Sequence, residues 1–171
     1  MELYILWHAE AEDASQSPDG TDQARRLTPK GRDQAKCVCE KAKELGAKPN
    51  LIFTSHLVRA KETAGIAKKV LKSDAEIRVE SCLEPKGQVQ DVYALLASLK
   101  DSDEVVLVTH FPLLGRLVRD LIDWPSLGKH VTMQVGSLMK VESETCPNSG
   151  LGKLAWLLPQ CKRSGKDTSN L

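Results

Sequence analysis

Three short apolar runs in this 171-residue chain end in residues suited to handling an anionic group. Leu3 to Trp7 is followed by His8. Leu51 to Thr54 is followed by Ser55, with Arg59 one helical turn further on. Val105 to Val108 is followed by Thr109 and His110. Neutral imidazole can act as a nucleophile and accept a phosphoryl group. Arginine offers a planar fork that fits phosphate oxygens, and a serine opening a helix adds N–H donors at its positive end. No acidic cluster with metal-ligand spacing and no Gly-x-x-x-x-Gly-Lys loop accompanies them. The residue types therefore favour phosphoryl transfer onto histidine with no metal and no cofactor.

The two histidines are 102 positions apart, so the fold must bring them together. Short, nearly continuous apolar runs are the pattern of buried parallel strands. Residues 9–27 are polar, hold Pro18, Asp19 and Gly20, and read as a loop. Thr28 and Pro29 supply an N-cap and a first helical residue. Ala35, Val38, Ala42 and Leu45 follow at helical spacing, and Gly46 is a stop. Ser55 is placed to cap a second helix with Ala60, Ala64, Ala67 and Leu71 inward, and Ile77 to Glu80 alternates as an edge strand. Val89, Val92, Leu96 and Leu99 predict a helix over 88–100. Pro112 starts another, with Leu113, Leu114, Leu117, Val118, Leu121 and Ile122 inward. Residues 137–141 and 154–158 read as strands joined by a loop over 146–152, and from Gln160 the chain is polar and expected to fray. Alternating strands and helices imply an α/β fold, a three-layer α/β/α sandwich on a mainly parallel sheet. The expectation is one domain over 1–160 and a polar tail over 161–171. Sites in such sheets lie beyond the carboxyl ends of the strands, so His8, Ser55, Arg59 and His110 should share one rim.

Composition narrows the partners. The 24 Lys and Arg against 23 Asp and Glu leave a net charge of +1, without the basic excess of a nucleic-acid binder. A hydrophobic content of 41% argues against acidic disorder. No run approaches the roughly 18 apolar residues of a membrane span, and Met1 to Trp7 is too short for a signal peptide and has an acid at its second position. Cys37, Cys39, Cys82, Cys146 and Cys161 are odd in number with no C-x-x-C. They are expected to be reduced thiols of a cytoplasmic protein, forming neither disulfide nor zinc site. With no long apolar stripe left over, a monomer is expected.

Four blocks in order resemble the histidine phosphatase superfamily, the phosphoglycerate-mutase-like phosphatases, and most of all its short bacterial phosphohistidine phosphatase branch. They are Leu6-Trp7-His8-Ala9-Glu10; Arg25-Arg26-Leu27-Thr28-Pro29; Ser55 with Arg59, Ala60 and Thr63; and Val108-Thr109-His110-Phe111-Pro112. The resemblance runs from residue 1 to about 158. It implies that His8 is the phosphorylated nucleophile, that Arg25 and Arg59 hold the phosphoryl oxygens, that His110 is the second histidine, and that Ser55 supports the pocket. It also implies a phosphohistidine intermediate, with phosphohistidine on a partner protein as substrate. The alternatives are a pseudophosphatase that binds phosphate without turnover, and a phosphomonoesterase for a small phosphorylated molecule.

The sequence departs from the family at Trp7, which stands where an arginine is usual and has one N–H donor and no charge. Arg26 stands where proline is frequent; it compensates if it turns inward and is otherwise a solvated side chain. Glu84, in Leu83-Glu84-Pro85, is a candidate general acid, and Glu10 and Glu12 are others. His56 and His130 are expected to be structural or exposed.

Overall fold

In the computed structural model, which describes residues 1–122 and 132–161, the first strand shows how the layers are built. β1 (Glu2–Trp7) is buried on both faces. Leu3 and Ile5 face one apolar cluster, and Tyr4 and Leu6 face another. α1 (Pro29–Glu44) starts as its sequence dictates: Thr28 Oγ1 accepts from the Gly31 N–H at 2.9 Å, and Pro29 takes the first helical position. Gly46, at φ 90°, follows its end, a conformation that favours glycine. The next elements are β2 (Leu51–Thr54), α2 (Val58–Leu71), β3 (Ile77–Val79), α3 (Val89–Ala97), β4 (Glu104–Thr109), α4 (Leu113–Leu121), β5 (Leu138–Glu142) and β6 (Lys153–Leu158). Residues 9–27 contain only one 3₁₀ turn, Ala14–Gln16, and a bridge from Ala11 to Leu27.

The strands form one six-stranded sheet in the order β3-β2-β4-β1-β5-β6. β3, β2, β4 and β1 are parallel, whereas β5 and β6 form an antiparallel hairpin on the far side of β1. α1 and α2 cover one face with Val38, Ala42, Ala60, Ala64 and Ala67. α3 and α4 cover the other with Val92, Leu96, Leu113, Leu114, Leu117 and Leu121. The α/β/α sandwich expected from the alternating elements is therefore present. β1, β4 and β2 are adjacent, so their carboxyl ends lie side by side.

Two expectations are corrected. Cys37 on α1 and Cys161 after β6 form a disulfide with Cα atoms 6.1 Å apart, although 124 positions separate them. The pairing arises because α1 packs beside β6, which a count of cysteines and their spacings does not reveal. Cys39, Cys82 and Cys146 are free thiols. The frayed tail does not begin at Gln160: Gln160 Nε2 donates to the Val135 carbonyl at 2.9 Å, and Cys161 is buried. His130 and residues 162–171 lie outside the described residues. No helix among the described residues is long and apolar enough to cross a membrane.

Candidate active site

His8 leaves the end of β1 where the backbone is tied on both sides. Its N–H donates to the Thr109 carbonyl at 3.3 Å, and its carbonyl accepts from the Gly136 N–H at 3.0 Å. The next residue, Ala9, donates its N–H to Thr63 Oγ1 at 3.2 Å, and Thr63 Oγ1 donates to the Arg59 carbonyl at 2.7 Å. Thr63 thus ties the nucleophile candidate's backbone to α2. The imidazole is oriented as well. Nδ1 lies 2.8 Å from the Ala9 carbonyl, which can only accept, so the hydrogen-bond network assigns the proton to Nδ1 and the lone pair to Nε2.

Nε2 of His8 faces Arg59, whose Nε donates to it at 3.3 Å. The Arg59 side chain is almost fully buried. Its two remaining nitrogens both reach Asp22, one bonding the backbone carbonyl at 2.7 Å and the other the carboxylate at 3.0 Å. Arg25 approaches from the 9–27 loop. Its Nη1 meets the second Asp22 oxygen at 2.8 Å, and its Nε donates to the Glu12 carbonyl. Asp22 therefore bridges both guanidinium groups expected to hold a phosphoryl group. Hydrogen bonds from Arg25 and then Arg59 keep its carboxyl below the usual carboxylate range, so it is an anion at neutral pH. The i,i+3 spacing of Asp22 to Arg25 was the one signal of this role in the sequence, and sequence reasoning did not use it.

His110, at the end of β4, lies beside His8 with ring centroids 4.7 Å apart. Ser55 Oγ is 2.6 Å from its Nε2. The hydroxyl accepts the Leu57 N–H at 3.3 Å and is free to donate its own proton to His110 Nε2, an arrangement that puts the ring's proton on Nδ1. That buried Nδ1 has no hydrogen-bond partner. Burial is the main cause that depresses both histidines, His8 to about 4 with the charges of Arg59 and Arg25 helping, and His110 to about 3 with His8 and then Arg59 helping. Both rings are neutral at pH 7. Ser55 does not cap α2 as its position suggested. The cap is Leu57, and Ser55 lies two residues earlier, with its hydroxyl turned to His110.

The remaining candidates are placed differently. The Trp7 ring packs with the α3 and α4 cluster, stacked on Phe111 with centroids 5.5 Å apart and planes 25° apart. Arg26 is exposed, and among the described residues its guanidinium makes no hydrogen bond or ion pair, so the structure does not turn it inward. Glu84 pairs with exposed His56 at 2.9 Å, with no bond to His8 or His110. Glu10 is held by Lys30 at 2.6 Å and by Thr28, which lower its pKa. Glu12 accepts from the Arg26 backbone at 3.3 Å. The structure brings together His8, His110, Arg59, Arg25 and Ser55; among the described residues neither the Arg26 guanidinium nor the carboxylates of these glutamates bond to them.

Comparisons with known proteins identify the family. The family model of the histidine phosphatase superfamily (branch 1) matches residues 3–84. The chain is 26% identical over 164 residues to phosphohistidine phosphatase SixA of Escherichia coli K12, covering 94% of this chain and 95% of that protein. It is 31% identical over 130 residues to a SixA homolog of Haemophilus influenzae, covering 71% and 77%. The structure of protein histidine phosphatase SixA complexed with tungstate superposes with a TM-score of 0.78 at 25% identity, over 93% of this chain and 97% of that one. On these grounds the chain belongs to the histidine phosphatase superfamily, in its short SixA-like branch.

Proposed function

We propose that this protein is a phosphatase that works through a phosphohistidine on His8 and acts on phosphohistidine presented by a partner protein. The observation that carries the reading is the state of the His8 ring. It is neutral, its proton is committed to the Ala9 carbonyl, and its Nε2 lone pair lies beside Arg59 and 4.7 Å, ring to ring, from His110. A nucleophile so fixed needs no proton removed before it attacks. Kinship with SixA supports the choice of substrate.

In the first step the Nε2 lone pair bonds to phosphorus while the bond from phosphorus to the leaving atom breaks. The leaving atom keeps that electron pair and ends protonated; an imidazole leaving group is basic enough to take its proton from solvent. A dedicated carboxylic acid is then dispensable, which suits the engagement of Glu84 by His56 and of Glu10 by Lys30 and Thr28. In the second step water attacks phosphorus, the electrons of the P–N bond return to His8, and inorganic phosphate departs. Arg59 and Arg25 turn from Asp22 to the phosphoryl oxygens, and the Nδ1–H of His110 supplies a further donor. Positioning and charge stabilisation carry most of such a reaction.

The test is turnover of a phosphohistidine-bearing protein and of a generic aryl phosphate, with His8→Ala as control. Turnover that His8→Ala abolishes is expected. The second reading, a pseudophosphatase that binds phosphate without turnover, draws on neutral Trp7 and on Asp22 already bridging Arg25 and Arg59. Retained phosphate binding with no turnover of either substrate would favour it.

A further inference from the structure

The candidate site is two-sided. Its cations come from the 9–27 loop and from α2, on the α1 and α2 side of the sheet, and converge on His8. Strand alternation turns the preceding side chain, Trp7, to the opposite face. There it packs with the α3 and α4 cluster and stacks on Phe111. Trp7 and Phe111 each adjoin one of the two site histidines in the chain, so the aromatic pair meets across β1 and β4 one residue from where the histidine pair meets. Phe111 is 57% exposed although it is among the largest apolar side chains of the protein. It is also held in place. A Cβ on Gly115 would meet Phe111 Cε2 at 2.8 Å, so the glycine in the first turn of α4 lets the ring lie against the helix. A cavity of about 380 Å³ beside Phe111 is lined by Pro112, Leu114, Val118 and Met133, and also by Arg116 and Arg119.

We infer that the stacked Trp7–Phe111 pair selects substrates whose phosphoryl group is carried on a planar aromatic ring, an imidazole or a phenol, over those carrying it on an alkyl alcohol. The inference rests on the proposed phosphatase reading and adds the class of leaving group to it. A phosphoryl group held by Arg59 and Arg25 on the α2 side directs its substituent toward the Trp7–Phe111 pair on the other. A flat ring there gains stacking and loses water from apolar surface. A sugar or glycerol substituent has no flat ring to stack on the pair. Trp7 then contributes a recognition surface at the position where relatives contribute charge.

Binding of phenylphosphonate and ethylphosphonate, measured by calorimetry, tests the inference without requiring turnover. The parent protein is expected to prefer phenylphosphonate by about tenfold, Phe111→Ala to lose that preference, and Phe111→Tyr to keep it. Equal affinity in the parent protein, a preference that survives Phe111→Ala, or no binding of either phosphonate would overturn it. Turnover of phosphoimidazole and phenyl phosphate is followed in parallel. Hydrolysis of both identifies the shared ring as the determinant. Hydrolysis of phosphoimidazole alone with equal phosphonate affinities assigns selectivity to leaving-group chemistry and overturns the inference. A retained phenyl preference with no turnover would retire the phosphatase reading and leave the aromatic surface standing.

Discussion

His8 and His110 are kept neutral chiefly by burial, and that neutrality is a measurable property of the folded chain. Free histidine titrates near 6.5. By NMR the His8 ring is expected to titrate near pH 4, and a midpoint near 6.5 would contradict the geometry. The sign for stability follows. Between roughly pH 6.5 and pH 4 the unfolded chain binds protons on these histidines that the folded chain refuses, so stability falls as pH drops through that window. Above it the two groups contribute nothing to the pH dependence. Trp7→Arg, at the same scale, supplies the family's cation and removes half of the aromatic pair. Turnover of an alkyl phosphate is expected to rise about tenfold or more, and the preference for a ring to weaken. Steady-state kinetics on matched aryl and alkyl phosphates measure both, and an unchanged or lower alkyl rate would show that the missing charge is not what restrains the enzyme.

Among the elements, the 9–27 loop is the part whose position decides the site, because it delivers Arg25 and Asp22. It rests directly on α1. A Cβ on Gly31 would come within 1.9 Å of the Glu10 carbonyl oxygen, so only glycine lets the loop lie this close. Gly31→Ala is expected to cost about 1–3 kcal/mol, seen as a lower melting temperature, and to weaken phosphate binding as the loop lifts. The strands and helices themselves were legible because burial imposes simple patterns: apolar runs for β1, β2 and β4, and inward leucines at helical spacing for α4. The Thr28–Pro29 start of α1 was legible from local chemistry alone. The role of Ser55 was not. The same residue type suits a helix cap or a bond to a distant histidine, and only the adjacency of β2 and β4 decides between them.

For the whole molecule, chain order gave the rim on which His8 and His110 meet but not the contacts that cross it. The bond from Asp22 to Arg59, the stacking of Phe111 on Trp7 and the Cys37–Cys161 bond depend on packing between residues far apart in the chain, and no local pattern carries that information. The disulfide has a consequence of its own. It closes a loop spanning 124 positions, and in the chain-entropy model a loop of this size contributes several kcal/mol. Cys37→Ser is therefore expected to lose about 2–5 kcal/mol under oxidising conditions and to match the parent protein under reducing ones, by thermal denaturation with and without dithiothreitol. Equal stability in both conditions would show that the bond constrains little.

The central claim is that the phosphoryl group passes through His8. Rapid quenching of the full-length protein during turnover of a phosphohistidine protein, followed by mapping of the labelled residue, tests it most directly. The expected result is acid-labile, base-stable phosphate on His8 that is absent in His8→Ala. Label on any other residue, or turnover that persists in His8→Ala, would contradict it.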